Sequence, residues 1–152
     1  MDKLIDDLIK LAFAEDIGDG DHTTLCCIPE TAMGKSQLII KEDGVLAGVE
    51  MAKRIFHDFD PELKMTVFIQ DGAEVKKGDI AFVVEGKIQS LLQTERLMLN
   101  VMQRMSGIAT TTRKYAKALE GTKTHVLDTR KTTPGMRMIE KEAVRIGGGM
   151  NH

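Results

Sequence analysis

A strand–loop–helix unit in residues 125–149 restricts the possible folds more than any other stretch of the chain. His125 to Leu127 predicts a short buried strand, and Met136 to Arg145 predicts a helix. Pro134 suits the first turn of that helix, and Gly147-Gly148-Gly149 ends it. Such a unit belongs to a parallel sheet, which cannot consist of one strand. The sequence therefore predicts the α/β class. We expect an N-terminal portion of a longer protein, or a chain that another chain or subunit completes.

The loop between this strand and helix, Asp128 to Arg137 (D-T-R-K-T-T-P-G-M-R), concentrates hydrogen-bond donors. Its donors are three cations and three hydroxyls: Arg130, Lys131, Arg137, Thr129, Thr132 and Thr133. Arginine's planar fork suits a carboxylate or phosphate, and lysine acts as a mobile point charge. Ligands of α/β sheets and barrels collect at the carboxyl ends of the strands, where this loop would lie. An anion site and a solvated basic loop that pairs with nearby acids both fit these residues.

Composition argues against several functional classes. The net charge of −2 disfavours nucleic acid or an anionic membrane as the main partner. No apolar run approaches the roughly 20 residues of a membrane span, and the acidic N-terminus is not a signal peptide. The two cysteines, Cys26 and Cys27, are adjacent and close no useful loop, so a reducing cytoplasm is expected. The cysteines and the four histidines lack metal-ligand spacing, and we expect no zinc.

The first segment predicts an amphipathic helix that Gly18 and Gly20 end. Its apolar residues share one face: Leu4, Ile5, Leu8, Ile9 and Ala12. The stretch Asp16 to Thr24 is rich in glycine and acids and is predicted to be irregular. Its carboxylates lack the spacing of a calcium loop, so capping and turn formation are favoured over cation binding.

Short β-runs separated by turns fill Gly34 to Ile88. Strands are predicted at Gln37 to Lys41, at Val45 to Ala47 as the strand returning from an Asp43-Gly44 turn, and at Leu63 to Ile69. A short helix from Met51 to Phe59 is expected to pack Ile55 and Phe59 beneath the sheet. Further turns are predicted at Asp71-Gly72, Lys77-Gly78 and Glu85-Gly86. This region resembles the modules that carry biotin or lipoate. It lacks their sequence pattern around an attachment lysine, which favours a structural module without a prosthetic group.

The segment Ser90 to Gly107 predicts a helix that is apolar over more than half its circumference, as in a domain interior or a subunit interface. Glu95 falls in the apolar arc and is expected to need a partner. Arg96 is either a structural partner for a carboxylate or a donor aimed at a site. Ser106-Gly107 predicts a break before a second helix that runs to Ala118. We place a domain boundary near Gly121, between an N-terminal domain (1–121) and the start of a second domain (122–152).

Four motifs, in this order and spacing, resemble the quinolinate phosphoribosyltransferase family. They are E-D-I-G-D-G-D-H-T-T (Glu15 to Thr24), E-R-L-M-L-N-V-M-Q-R-M-S-G-I-A-T (Glu95 to Thr110), D-T-R-K-T-T-P-G-M-R and G-G-G-M-N-H (Gly147 to His152). The resemblance covers essentially the whole chain and implies an α/β sandwich domain followed by the start of an irregular α/β barrel. It also implies phosphoribosyl transfer from phosphoribosyl pyrophosphate to quinolinate, with release of pyrophosphate and carbon dioxide, to give nicotinate mononucleotide for NAD synthesis.

The resemblance also implies roles for single residues. Thr129, Arg130 and Lys131 would line the site, with Arg130 clamping a quinolinate carboxylate and Lys131 near the ribose-phosphate donor. His152 would lie against quinolinate. Arg96 would reach the neighbouring subunit's site, which implies a homodimer with shared sites or a higher oligomer. Magnesium is expected to bind with phosphoribosyl pyrophosphate, through ligands mostly outside this chain. The family pattern continues past His152 with further site residues, so we expect the chain alone to have little or no activity.

Two alternatives remain open at this level. One is a phosphoribosyltransferase-like paralogue of molybdenum-transport loci, with the same fold and another base as substrate. The other is a non-enzymatic binding or assembly module, built on the carrier-like β region and the interface-like helix.

Overall fold

The computed structural model describes residues 2–152 and has the mixed α/β character that the sequence predicts. In chain order the elements are α1 (Asp2–Ile17), α2 (His22–Cys27), β1 (Met33–Ile39), β2 (Gly44–Val45), α3 (Val49–Phe59), β3 (Lys64–Val67), β4 (Glu74–Val75), β5 (Ile80–Lys87), α4 (Ile88–Ala118) and α5 (Arg137–Gly147). Among the helices in this range, none is long and apolar enough to cross a membrane.

The N-terminal helix is confirmed, and the acidic stretch after it is more regular than predicted. α1 ends at Ile17, before Gly18. The irregular segment predicted for Asp16 to Thr24 is wrong at both ends, because Asp16 and Ile17 belong to α1 and α2 begins at His22. Asp21 is the N-cap of α2: it accepts hydrogen bonds from the backbone nitrogen of Thr24 over 3.3 Å and from its hydroxyl over 2.7 Å. The capping role expected for this acidic stretch is therefore confirmed at Asp21.

The β region forms two antiparallel sheets. β5 lies between β1 and β3 in a three-stranded sheet, and β2 pairs with β4 in a separate two-stranded sheet. The strands predicted at Gln37 to Lys41 and Leu63 to Ile69 are confirmed with shifted ends. The hairpin predicted at Asp43-Gly44 is wrong. β2 pairs with β4 and not with β1, and the backbone nitrogen of Val45 also donates to the Thr110 hydroxyl of α4 over 2.9 Å.

The turn predicted at Glu85-Gly86 is also wrong, since both residues lie inside β5. A Cβ at Gly86 would lie 2.6 Å from Cδ2 of Leu63. This glycine therefore permits close approach of a side chain within the sheet and does not reverse the chain.

The predicted helix after β2 is confirmed as α3, with Ile55 fully buried and Phe59 half-buried. Its first turn is capped from a distant loop: the Asp71 carboxylate accepts from the backbone nitrogens of Val49 over 2.8 Å and Glu50 over 3.3 Å. The turn predicted at Asp71-Gly72 therefore also stabilises a helix end.

α4 is one continuous helix of 31 residues that packs against the sheets, α3 and α5. The break predicted at Ser106-Gly107 is wrong. The Ser106 hydroxyl accepts from the nitrogen and donates to the carbonyl of Ala47, each over 3.0 Å, which fastens the helix to the β region at that point. A glycine in a helix costs about 1 kcal/mol, and packing of the neighbouring turns offsets this.

Glu95 does not lie in the buried arc of α4, contrary to the prediction. It is exposed, and the fully buried polar residue of this turn is Thr94, whose hydroxyl donates to the Ser90 carbonyl over 2.8 Å. The apolar arc is only partly covered, because Leu92 and Leu99 are also exposed in the described chain. Glu95 can therefore remain hydrated without a partner.

The final helix is confirmed as α5, and Gly148 caps it with φ +100°. Pro134 lies in the turn before this helix and not in its first turn. The buried strand predicted at His125 to Leu127 is reduced to one parallel bridge between Leu127 and Met150, and Leu127 is 61% exposed. A parallel strand is buried only when helices and further strands cover it. Within residues 2–152 the segment at Leu127 has this single bridge, so it stays exposed. The unit therefore has one parallel partner, the segment at Met150.

α5 and α4 share one core. Ile139 and Ala143 of α5 are buried in the same cluster as Met105 and Ala109 of α4. A Cβ at Gly147 would lie 2.6 Å from the Ala109 carbonyl oxygen, so the two helices touch closely there. The boundary near Gly121 remains a prediction.

Candidate active site

The Leu127–Met150 bridge brings two segments of the predicted site together. The Asp128 nitrogen donates to the Met150 carbonyl over 3.0 Å, and the Met150 nitrogen donates to the Val126 carbonyl over 2.8 Å. Asp128 and His152 follow these two parallel segments at their carboxyl ends. This is the position at which α/β sheets bind ligands.

Asp128 is the centre of a polar cluster at these ends. Its side chain is 2% exposed, and its Oδ2 accepts from Lys141 Nζ over 2.6 Å. Its Oδ1 lies 2.6 Å from His152 Nδ1 and 3.1 Å from the His152 backbone nitrogen. The side-chain nitrogen of Asn151, with the amide turned so that this nitrogen faces acceptors, donates to Oδ2 over 2.8 Å. The hydrogen bonds from His152 and Lys141 hold the pKa of Asp128 well below its usual range.

The loop carries two cations that the protein does not neutralise. Arg130 and Lys131 are exposed, and within residues 2–152 their side chains make no hydrogen bond or ion pair. The backbone of the loop is held in place. Arg137 donates to the Thr132 hydroxyl and to the Arg130 carbonyl, each over 3.1 Å. The Thr129 hydroxyl accepts from the Lys131 nitrogen over 3.1 Å. The arrangement favours an anion site over a basic loop that pairs with the protein's own acids.

A second network fixes the far end of the loop. Arg104 of α4 donates from Nε to Glu140 of α5 over 2.8 Å and from a terminal nitrogen to the Thr133 hydroxyl over 2.5 Å. The Thr133 backbone nitrogen donates to Glu140 over 3.2 Å. Burial would raise the pKa of Glu140, but hydrogen bonds from Arg104 and Thr133 outweigh it and lower the pKa. Both helices thus hold the loop.

Arg96 lies apart from this cluster. Its Nε donates to Asp16 of α1 over 2.8 Å, and this hydrogen bond raises the pKa of Arg96. It is eight residues before Arg104 on α4, about 12 Å along the helix axis. The structure therefore places His152 against Asp128, which directly precedes Thr129, Arg130 and Lys131 in the loop, and it pairs Arg96 with Asp16 of its own chain.

Sequence reasoning missed Lys141, Arg104 and Glu140. A signal was present for Glu140, because the buried residues of α5, which are Ile139, Glu140, Ala143 and Gly147, follow helical spacing. A carboxylate among buried positions needs a partner. Nothing in the sequence indicated that Lys141 would meet Asp128 and His152.

Two cavities lie away from Asp128, Arg130 and Lys131, since none of these residues lines either of them. One of about 510 Å³ is lined by Leu25, Cys26, Cys27, Ile28, Pro29, Glu30 and Gln89. The other, of about 470 Å³, borders α4 and is lined by Gln103, Arg104, Gly107, Ile108, Thr111 and Thr112. Only Arg104 belongs to the networks described above. Among residues 2–152, no group of three or more His, Cys, Asp or Glu could hold a metal ion.

The fold and the cationic strand-end loop are those of an α/β protein with a candidate anion site. Comparison with known families is more specific. Residues 21–106 match the model described as quinolinate phosphoribosyl transferase, N-terminal domain, and residues 108–152 match the corresponding C-terminal domain. The chain belongs to the quinolinate phosphoribosyltransferase family.

Similar proteins come from plants and bacteria. Quinolinate phosphoribosyltransferase [decarboxylating] 1 of Nicotiana glauca is 47% identical over 146 residues, which are 95% of this chain and 41% of the relative. A probable nicotinate-nucleotide pyrophosphorylase [carboxylating] of Synechocystis is 42% identical over 98% of this chain and 50% of its own length. The crystal structure of NadC from Streptococcus pyogenes matches with a TM-score of 0.95 at 41% identity, over all of this chain and 54% of that one. The chain thus spans about half, or less, of the length of these proteins.

Proposed function

We propose that this protein functions in transfer of the phosphoribosyl group of phosphoribosyl pyrophosphate to quinolinate, with decarboxylation, to give nicotinate mononucleotide for NAD synthesis. The observation that carries the proposal is that Arg130 and Lys131 stand without partners in the described chain, on a loop that is itself firmly held. Family membership supports the same reaction. Because the chain spans about half of its relatives, or less, the reaction is proposed for the full-length gene product. The 152-residue chain by itself is expected to have little or no turnover.

The charges of the two substrates match the site. Quinolinate is a dicarboxylate and the other substrate is polyphosphorylated, so both require cations held in place. Displacement at the anomeric carbon builds positive charge on the sugar while pyrophosphate leaves. Catalysis of such a reaction consists largely of positioning and electrostatic stabilisation. Decarboxylation follows, assisted by the positive charge of the new pyridinium ring.

Each residue of the loop has a proposed role. Arg130 clamps a carboxylate of quinolinate through its planar fork, and Lys131 lies near the ribose-phosphate donor. Thr129 lines the site, and its hydroxyl also accepts a hydrogen bond from the Lys131 nitrogen. His152 contacts quinolinate.

Arg96 is proposed to serve the site of a second copy in a homodimer or a higher oligomer. Its hydrogen bond to Asp16 uses Nε and leaves the terminal nitrogens available. The partly exposed apolar arc of α4 beside it, with Leu92 and Leu99, supports an interface there. Cross-linking through a cysteine introduced at Leu99 tests the arrangement, and a strictly monomeric protein contradicts it.

Magnesium is proposed to arrive with the pyrophosphate of the donor. The only carboxylate of the loop, Asp128, is already held by Lys141 and His152. Residues 2–152 contain no group of carboxylates and histidines that fits a magnesium site, so no step is assigned to the ion. A cytoplasmic location is also proposed, supported by the free thiols of Cys26 and Cys27, although relatives in plants include proteins named as mitochondrial or chloroplastic.

Substitution of Arg130 tests the proposed function. In the full-length gene product, Arg130→Ala is expected to lower kcat/KM for nicotinate mononucleotide formation by about a thousandfold, because a two-pronged contact to a carboxylate is lost. Arg145→Ala is the matched control, since this exposed arginine pairs only with Glu142 in the described chain. Near-normal turnover of Arg130→Ala removes the role given to Arg130.

Competition by quinolinate separates the proposed enzyme from a paralogue that acts on another base. We expect quinolinate to bind the full-length gene product in calorimetry and Arg130→Ala to weaken that binding. Tight binding of another base together with no response to quinolinate would favour the paralogue. A prosthetic group linked to Lys76 or Lys77, detected by mass spectrometry, would favour a carrier module.

A further inference from the structure

The imidazole of His152 is attached to Asp128 by only one of its two nitrogens. Nδ1 lies 2.6 Å from Oδ1 of Asp128, whereas Nε2 makes no hydrogen bond within residues 2–152. The Asp128 side chain is almost completely buried, and that of His152 is 45% exposed. The ring thus has a buried, anchored edge and an opposite edge without a partner.

The charge of Asp128 decides which nitrogen carries the hydrogen. The hydrogen bonds from His152 and Lys141 keep Asp128 ionised at neutral pH, and an ionised carboxylate only accepts hydrogen bonds. Lys141 Nζ, which can only donate, also lies 3.2 Å from Nδ1, but the contact to Oδ1 is shorter, at 2.6 Å, and Lys141 already donates to Oδ2 over 2.6 Å. The shorter contact makes Nδ1 the donor to Asp128. In a neutral imidazole this leaves Nε2 with a lone pair, and in a protonated one it leaves Nε2 with a hydrogen to donate. Lys141 donates to the other carboxylate oxygen, which fixes the carboxylate against rotation.

Attachment of the backbone does not require this contact. Residues 149–152 are already held by the hydrogen bonds between Met150 and residues Val126 and Asp128, and by the His152 backbone nitrogen, which donates to Asp128. The bond to Nδ1 adds only the orientation and tautomer of the ring.

We propose that Asp128 is a positioning residue that holds His152 in the Nδ1–H state, so that Nε2 is presented to the ligand, and that Lys141 supports Asp128. The inference rests on the proposed function for the identity of the ligand, quinolinate. When that ligand is bound, Nδ1 remains hydrogen-bonded to Asp128, and Nε2 is the ring nitrogen left to contact it.

Nitrogen NMR of the ring tests the inference without substrate. The full-length gene product is labelled with ¹⁵N-histidine and measured at about pH 9, where imidazoles are neutral. The signals of His152 are assigned by their loss in His152→Gln. We expect Nδ1 to carry the hydrogen in the unaltered protein, and Asp128→Asn to shift the population towards Nε2–H. Predominant Nε2–H in the unaltered protein overturns the inference, even if Asp128→Asn fails to fold.

Ligand affinity gives a second readout, which separates this inference from the proposed function. Asp128→Asn is expected to weaken quinolinate binding roughly tenfold, since a charged hydrogen-bond partner is lost. Glu142→Gln, which alters a carboxylate on the exposed side of α5, is the control and should bind as the unaltered protein does. Unchanged affinity in Asp128→Asn overturns the positioning role. A third outcome is that the unaltered protein does not bind quinolinate although NMR shows His152 in the Nδ1–H state. This result overturns the proposed function and the identity of the ligand, but the tautomer assignment stands.

Discussion

The β region with α3 and α4 and the strand-end loop with α5 are stabilised in different ways. The first region buries apolar side chains such as Ile55, Phe82 and Met105 almost completely. In the second, α5 joins this apolar core through Ile139 and Ala143, whereas the loop itself is exposed, and polar bonds such as those of Asp128 and Glu140 determine its shape. The stabilisation from burying apolar surface is non-directional and roughly proportional to the area buried. A hydrogen bond, in contrast, requires a particular distance and angle between donor and acceptor. We therefore expect substitutions in the first region to change mainly stability and those in the loop to change mainly ligand binding.

The largest stability effect is expected in the β region. Phe82 is 2% exposed and its ring meets that of Phe56 edge-on at a centroid distance of 6.2 Å. Phe82→Ala should lower the free energy of unfolding by about 3–5 kcal/mol, as measured by urea denaturation. Phe68→Ala is the matched control because Phe68 is 61% exposed, and it should change stability by less than about 1 kcal/mol. Equal losses in both variants would contradict the assignment of the core.

The next effect is expected where the two regions meet. Gly147→Ala would place a Cβ 2.6 Å from the carbonyl oxygen and 3.0 Å from the Cα of Ala109, and backbone atoms cannot move aside easily. We expect a loss of about 1–3 kcal/mol. Gly107→Ala is the control, because its Cβ would meet nothing within 4 Å, and this helix position should gain about 0.5–1 kcal/mol. If thermal or urea unfolding shows no loss in Gly147→Ala, the close contact between α4 and α5 is wrong.

A smaller effect is expected from a polar bond inside the first region. Asp71→Ala removes the acceptor for two backbone nitrogens at the start of α3. We expect a loss of about 1 kcal/mol in urea denaturation. The matched control is Asp58→Ala, since Asp58 is exposed near the opposite end of the same helix. A loss from Asp58→Ala as large as that from Asp71→Ala would argue against capping.

The smallest effect concerns the pH dependence of stability that arises from Glu140, whose hydrogen bonds hold the far end of the loop. The pKa of Glu140 is lowered in the folded protein, so its contribution to stability is present above the ordinary glutamate pKa of 4.5 and is lost as the pH falls through the folded value. Arg104 is 43% exposed, and solvent screening should keep this contribution below about 1 kcal/mol. Urea denaturation at about pH 6 and about pH 3 should show a smaller acid-induced loss in Glu140→Gln than in the unaltered protein. Glu142→Gln should retain the original loss, and an unchanged loss in Glu140→Gln would contradict this role.

Much of the fold could be predicted because periodic apolar patterns report burial directly. α1, α3 and α5 follow such patterns and were placed within a few residues. The errors occurred where a residue serves a distant partner. Gly86 provides room for Leu63, and Ser106 bonds to Ala47, so neither makes the local turn or break that its residue type suggests.

The candidate site could be predicted only in part, for the same reason. The concentration of hydrogen-bond donors in the loop is visible in the sequence, and the structure leaves two of them, Arg130 and Lys131, exposed. Lys141 lies 13 residues after Asp128, and Arg104 lies 36 residues before Glu140, so their contacts depend on how α5 packs on α4. Local patterns contain no information about such packing.

The unbroken α4 works as a rigid spacer. Arg96 and Arg104 lie on it with no glycine between them, and Gly107 comes only after both. Their separation of about 12 Å along the axis is therefore set by the regular rise of the hydrogen-bonded helix and not by a flexible hinge. An anion bound by Arg96 would therefore lie at a nearly constant distance from Arg104, which holds the loop through Thr133. A tilt of α4 would move the two arginines together.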